Sequence, residues 1–400
     1  MTLKRVLDEV FDTFTTQTIF KNKNALRHEY VPDDLPHREK QIKELGAILA
    51  PNLVSMSTSN VFIYGKPGTG KTAVAKYVTN RLEEVGSQRG VNIKKIYINC
   101  NIFDSQYRVL SKLAESFNKD VPSTGWAIDQ VYQSFIDGLN NVKGSVIVIL
   151  DEIDYLTKRS CENLLYKLTR INSELENTTL SLIGITNNLV FKNTLDPRVK
   201  SSLGEEEIFF PPYNALQLED ILKKRVELVF EDGVCPLEVV KLCAAYAAKE
   251  NGDARQALDL LRVSAELAVR DNKNKITESY VELAKERLEQ DKIVEAVKTL
   301  PQHSKVILYS IIELENIDGD MITSGKVYKE YKKQCEMIGM DALTYRRISD
   351  LIKELDSQGL IFAEIKNIEN MGRTREIRLA IEDDRVIEKI RNLLKGEFYS

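Results

Sequence analysis

The chain has little cysteine, no long apolar run and no excess of charge of either sign. Its five cysteines (100, 161, 235, 243 and 335) form an odd set with no CxxC spacing and no histidine nearby. That argues against a disulfide framework or a zinc site and for a reducing interior. The longest apolar runs, such as 146–150, fall far short of the roughly 18 residues that cross a bilayer. Acidic residues follow Lys4 and Arg5 where a secretory signal would carry an apolar stretch. Lys and Arg number 56 against 60 Asp and Glu, a net charge of −4. No global basic field therefore advertises nucleic acid, although a local patch would be enough. Repeats and low-complexity tracts are missing as well. What is present is globular material, 400 residues at 43% hydrophobic and 29% charged, enough for two or three domains. The expectation is a soluble cytoplasmic protein, nucleoid-associated if it holds DNA, with no membrane partner.

From residue 60 the pattern is α/β. Strand-like runs at 60–64, 93–99, 145–150 and 180–186 alternate with helical periodicities, which implies a parallel sheet with helices on both faces. Pro211-Pro212 then punctuates the chain. Segments 216–230, 236–250, 253–270 and 277–300 read as helices. The last hundred residues read as three helices and two short strands, 360–366 and 375–379. The polar stretch 367–374 between those strands, with Gly372, reads as a hairpin tip. Three domains are expected: an α/β domain over 1–210 with a helical insertion at about 101–140, an all-α domain over 211–298, and a unit over 299–400.

The strongest local signal is Gly65-Lys-Pro67-Gly68-Thr69-Gly70-Lys71-Thr72, a G-x-x-x-x-G-K-[ST] motif between a strand and a helix that continues through Ala73. Glycines let backbone N–H groups converge on phosphates, and the helix N-terminus adds its partial positive charge. Lys71 would reach the outer phosphates and the Thr72 hydroxyl a Mg²⁺ ion. A buried strand later ends in Asp151-Glu152. Asp151 is expected to hold Mg²⁺ through water, and Glu152 to act on the attacking water. The strand 180–186 ends in Asn187-Asn188. If it lies beside the Asp151 strand, Asn187 would orient that water; otherwise it makes a capping turn. Asp253 is a plausible N-cap for the helix that carries Arg255 in its first turn. A cation there gains nothing from the helix dipole, so its place invites an anion.

In this order the motifs are similar to those of AAA+ ATPases. More closely, the chain resembles the archaeal replication initiators related to the eukaryotic origin recognition complex. The resemblance runs from Arg27-His-Glu-Tyr-Val-Pro through GKPGTGKT, LDEID, GITNN, LDPRVKSSLGEEEIFFPPY and GDARQALDLLR to TYRRISDLIKELDSQGLI. It implies an ATPase that binds ATP or ADP with Mg²⁺. Tyr30, Val31, Pro32 and Arg38 would border the adenine, with Tyr213 also in the nucleotide site. Asn187 and Arg255 would be the first and second sensors. The insertion at 101–140 would contact DNA, unless its helices only cover the sheet. Origin duplex DNA, a minichromosome-maintenance-type replicative helicase and paralogous initiator subunits are the implied partners. One departure stands out: where such ATPases often carry an arginine finger, this chain reads Lys200-Ser-Ser-Leu203, so either Arg198 upstream substitutes in trans or the chain does not complete a neighbour's site efficiently. Slow hydrolysis by the isolated protein is therefore expected.

Residues 300–400 resemble a winged helix. Apolar positions 348, 351, 352 and 355 share one helical face and leave Tyr345, Arg346, Ser349, Asp350 and Lys353 off the core, with Arg346 and Arg347 in the first turn. Such a helix enters the major groove, and a hairpin tip carrying Arg373 and Arg375 would be the wing. The rival readings are a clamp-loader-type AAA+ subunit, disfavoured by the winged helix, and a nucleotide-dependent transcription regulator.

Overall fold

The computed structural model describes residues 19–27, 30, 32, 34–122, 124–157, 162–317, 321–368 and 372–399. The chain divides into two compact units, 1–284 and 285–400.

The first unit is built on five parallel strands: β1 (Val61–Gly65), β2 (Ile93–Asn99), β3 (Ser145–Asp151), β4 (Thr179–Thr186) and β5 (Glu206–Phe210), in the order β2-β3-β4-β1-β5. Their period of two splits the apolar residues between the faces. Val146, Val148 and Leu150 face one side, against Val109, Leu110, Leu113, Val131 and Phe135 of α3 (Gln106–Glu115) and α4 (Ile128–Asn140). Ile147 and Ile149 face the other, against Leu45 and Leu49 of α1 (Glu39–Leu49) and Val74, Ala75 and Val78 of α2 (Lys71–Gln88). Each fully buried side chain of this size contributes roughly 1.5–3 kcal/mol. The four expected strands form within a residue of their anticipated ends. β5 was not anticipated: it pairs with β1 at the sheet's edge, and its two leading glutamates and alternating exposure hide it. The β4 strand does lie beside β3, so the Asn187 condition is met. After α5 (Glu162–Arg170) and α6 (Pro197–Leu203), a helical layer follows: α7 (Ala215–Val229), α8 (Leu237–Glu250), α9 (Ala254–Arg270) and the first turns of α10 (Glu278–Thr299), which runs on into the second unit, where Val294 and Val297 join the core. Residues 19–26 lie on this layer, with a Phe20–Phe230 bridge and Leu26 fully buried.

The second unit has its own core, centred on Ile307, Ile311, Tyr331, Ile348, Ile352, Ile361 and Ile377. Helices α11 (Gln302–Ile317), α12 (Ser324–Ile338) and α13 (Tyr345–Ser357) pack with an antiparallel sheet of β6 (Ile322–Thr323), β8 (Gly372–Leu379) and β7 (Ile361–Ile368), followed by α14 (Asp384–Tyr399). Neither β6 nor α14 was expected. The wing's ladder also runs further than expected, through Ile368↔Gly372. Among the described residues no helix is long and apolar enough to cross a membrane.

Candidate functional site

A cavity of about 660 Å³ opens at the carboxyl ends of the parallel strands, where ligands of open α/β sheets bind. Gly68, Thr69, Gly70, Lys71, Thr72 and Ala73 line it together with Asp151, Glu152, Asn187, Tyr213 and Arg255, and Tyr30 and Pro32. Motifs more than two hundred residues apart in sequence thus meet in one place. Val31 lies outside the described residues.

The glycine loop closes on itself. Gly68 and Gly70 take the positive φ values, +67° and +87°, that the turn requires. The buried Lys71 Nζ donates to Gly65 O (2.9 Å) and Lys66 O (2.6 Å). Burial lowers the Lys71 ammonium to about 8, with Asp151 acting in the opposite direction. Thr72 Oγ1 donates to Asp151 Oδ2 (2.7 Å), as does Tyr97 OH (2.9 Å), and Glu152 N donates to Asp151 Oδ1 (3.0 Å). A hydroxyl and a carboxylate thus sit side by side beneath the loop, an oxygen pair of the kind Mg²⁺ takes when phosphates and water complete its shell. Glu152 holds a left-handed φ of +56°, a strained setting for a non-glycine residue. Its carboxyl is pushed above the usual range by burial and then by Asp151 and Asp154. Its buried Oε2 has no hydrogen-bond partner among the described residues. Next door, Asn188 makes the Asx turn by accepting from Val190 N (3.0 Å), which leaves Asn187 on the cavity wall.

The helical layer latches onto the same loop. Asp253 caps α9, accepting from Arg255 N (2.7 Å), and Ala254 N donates to Gly68 O (3.1 Å). This places the exposed Arg255 at the cavity rim.

Two expectations need correcting here. Arg38 does not line the cavity: it is 2% exposed, behind the loop. Its Nε donates to Thr69 O (2.9 Å), Nη1 to His37 O (3.0 Å) and Nη2 to Pro211 O (2.7 Å), and its guanidinium stacks 3.7 Å from the Tyr213 ring centre. Three carbonyls occupy a fork of donors that the resemblance had aimed at the adenine. Gly65 and Pro67 likewise fall outside the wall, Gly65 serving Lys71 through its carbonyl. Sequence reasoning missed Tyr97, Asn99 and Arg225, which also line the cavity. No motif marks them; the ends of β2 and α7 reach the site only through the folded topology.

Arg198 is exposed on α6, its guanidinium bound twice by Asp196 (3.1 and 3.0 Å). The insertion helices α3 and α4 cover the sheet. Their bases are paired, Arg108 with Asp104 and Lys112 with Glu115, each at 3.2 Å.

In the second unit, Ile348, Leu351, Ile352 and Leu355 are buried as their spacing implies, and Tyr345, Arg346 and Arg347 are exposed at the start of α13. Lys329, Lys332 and Lys333 on α12 are exposed too. Arg375, however, is not at a hairpin tip. It stands opposite Ile365 inside the ladder, and its Nη1 donates to Ser349 O (3.1 Å) and Ser349 Oγ (2.8 Å) on α13. It ties the wing to the helix. Arg373 pairs with Asn367 in the ladder, and its side chain lies outside the described residues.

Three family descriptions match successive stretches: "AAA domain" over residues 55–190, "Cdc6 AAA+ ATPase-type lid domain" over 219–286, and "CDC6, C terminal winged helix domain" over 295–389. The chain is 51% identical over 381 residues to the ORC1-type DNA replication protein 1 of Archaeoglobus fulgidus, covering 95% of this chain and 92% of that one. It is 48% identical over 398 residues to the ORC1-type DNA replication protein of Pyrococcus furiosus, covering 98% and 94%. Among solved structures, the Aeropyrum pernix ORC1 protein in complex with DNA superposes with a TM-score of 0.81 at 44% identity, over 95% of this chain and 98% of that one.

Proposed function

The chain belongs to the ORC1-type DNA replication proteins, and on that premise we propose that it is an ATP-dependent initiator that binds origin duplex DNA and helps recruit the replicative helicase. The observation that carries the nucleotide part is the convergence of Lys71, Thr72, Asp151, Glu152, Asn187 and Arg255 on one cavity. Lys71 holds the outer phosphates of ATP, leaving the carbonyls of Gly65 and Lys66 for a stronger charge partner. Thr72 and Asp151 would hold Mg²⁺, which neutralises phosphate charge when bound. Glu152, whose Oε2 has no partner among the described residues, accepts the proton of the attacking water, and Asn187 positions that water. Arg255 meets the phosphates from the lid. Because its helix is latched to the loop at Gly68, loss of the γ-phosphate is felt by the lid directly. With Arg198 engaged by its own Asp196, hydrolysis by the isolated protein is slow.

On the DNA side, the exposed Arg346 and Arg347 face the duplex from the first turn of α13 and the wing follows the adjacent groove. A solved relative at 44% identity is a complex with DNA, which supports the reading. Paralogous initiator subunits and a minichromosome-maintenance-type helicase are the protein partners, and the nucleoid in the cytoplasm is the place of action.

Lys71→Ala tests the site. It should abolish most ATP binding, whereas Glu152→Gln should keep binding and depress hydrolysis, because one residue holds ground-state charge and the other serves the reaction. Calorimetric titration with ATP and Mg²⁺, with phosphate release measured beside it, separates the two. Equal ATP affinity for Lys71→Ala and the unaltered chain would remove Lys71 from the site.

A further inference from the structure

Three donors from three parts of the chain hold the Asp151 carboxylate. Thr72 Oγ1 on α2 (2.7 Å) and Tyr97 OH on β2 (2.9 Å) both donate to Oδ2, and Glu152 N donates to Oδ1 (3.0 Å). Each carboxylate oxygen has two lone-pair positions. Those of Oδ2 are therefore both taken, and among the described residues one on Oδ1 stays open. Thr72 and the Glu152 amide come with the two motifs of the site. The Tyr97 phenol comes with neither.

Tyr97 is fixed in place by its surroundings. It stands two residues before Asn99, the partner of Asp151 in the β2–β3 ladder, so strand pairing sets how far the phenol reaches. Lys76, one turn along α2 from Thr72, holds its Nζ 4.0 Å from the Tyr97 ring centre, and both side chains line the cavity. The residue is 37% exposed, so burial of the ring explains little and the hydroxyl is what its place uses.

The count of open lone pairs discriminates between cations. Mg²⁺ keeps most of its water and strict octahedral geometry, whereas the larger Ca²⁺ takes more oxygens and often both of one carboxylate. A carboxylate whose Oδ2 is saturated has only Oδ1 to offer, which suits Mg²⁺.

We propose that Tyr97 is a positioning residue for the metal end of the cavity, its phenol closing Asp151 Oδ2 so that the carboxylate serves Mg²⁺ through Oδ1 and disfavours a larger cation that needs both oxygens. The proposal rests on the nucleotide and Mg²⁺ reading above. Tyr97 acts through Asp151, not on the nucleotide. Removing the phenol opens a second oxygen and lets the carboxylate turn.

Calorimetric titration of the full chain with ATP in EDTA, in Mg²⁺ and in Ca²⁺, repeated on Tyr97→Phe, tests it. In EDTA the two chains should bind ATP equally. In Mg²⁺ the variant should bind roughly tenfold more weakly, the scale on which metal sites respond to losing a hydrogen bond to a ligand. In Ca²⁺ it should bind no more weakly than the unaltered chain, so the preference for Mg²⁺ over Ca²⁺ falls by about the same factor. Tyr132→Phe removes the same kind of bond, from α4 to Glu174 (3.1 Å), and should leave all three affinities unchanged. An equal loss in Mg²⁺ and Ca²⁺, a loss already present in EDTA, no loss in Mg²⁺, or a matching change in Tyr132→Phe would each overturn the proposal. If the unaltered chain bound ATP no better in Mg²⁺ than in EDTA, the metal reading itself would fall, and this inference with it.

Discussion

Lys71 illustrates how a single side chain carries the site's chemistry before any ligand arrives. Turned back onto loop carbonyls and buried, its ammonium titrates at about 8 rather than in the ordinary lysine range. Phosphate stabilises only the charged form, so binding above that pH must take up a proton. The cationic fraction falls from nearly full at pH 7 to about a tenth at pH 9. ATP affinity should therefore weaken about tenfold over that interval, and Lys71→Arg, whose guanidinium stays charged, should flatten the dependence. Titrations at pH 7, 8 and 9 check this; a flat profile for the unaltered chain would contradict the buried-ammonium account. Arg38 carries the opposite lesson. The family resemblance implied a ligand contact, yet its donors are used by Thr69, His37 and Pro211 carbonyls. Which way a long side chain turns is decided by the carbonyls it meets, and two of the three come from segments 31 and 173 residues away.

At the level of elements, the latch between the glycine loop and α9 is the most exacting contact. A Cβ added at Gly68 would fall 1.5 Å from Asp253 Oδ1, and the backbone there holds φ +67°. Gly68→Ala should therefore push the N-terminus of α9 off the loop and weaken ATP binding at least tenfold, with the Ala254 amide losing its protection from hydrogen exchange. Unchanged exchange at Ala254 would mean that the latch is not needed. In the other unit, Arg375 and Arg346 should fail differently. Arg375→Ala removes the tie to Ser349 and loosens the wing, lowering DNA affinity with little change in salt dependence. Arg346→Ala should cost about 1–3 kcal/mol on the preferred sequence alone if it reads a base. If it instead neutralises a phosphate, the loss is the same on all sequences and the slope of log K against log salt falls by about 0.9.

The elements themselves were largely legible. Strands β1 and β3 announce themselves as apolar runs because both faces of the sheet are covered, and β4 nearly so, whereas β2, with Lys94 and Lys95, shows only as a β-rich run. β5 did not, being an edge strand with Glu206 and Glu207 at its head. α14 was passed over, although Val386, Ile390 and Leu394 lie at helical spacing and are buried. Within the site, residues inside motifs could be read. Tyr97, Asn99 and Arg225 could not, since only the pairing of β2 with β3 and the placement of α7 bring them to the cavity.

The whole molecule combines two units with separate cores, one holding the nucleotide cavity and the other the exposed arginines of α13. A net charge of −4 rules out a general attraction to DNA, so any grip must come from local groups and from recognition of a preferred sequence. The initiator function proposed above requires that the chain pick out a replication origin rather than DNA at large. Nuclease footprinting of the full chain with ATP and Mg²⁺, on fragments tiling the chromosome of its source, tests it most directly. Protection should concentrate on repeats at the replication origin and weaken in Arg346→Ala. Protection spread over promoters, or none that exceeds random duplex, would contradict it.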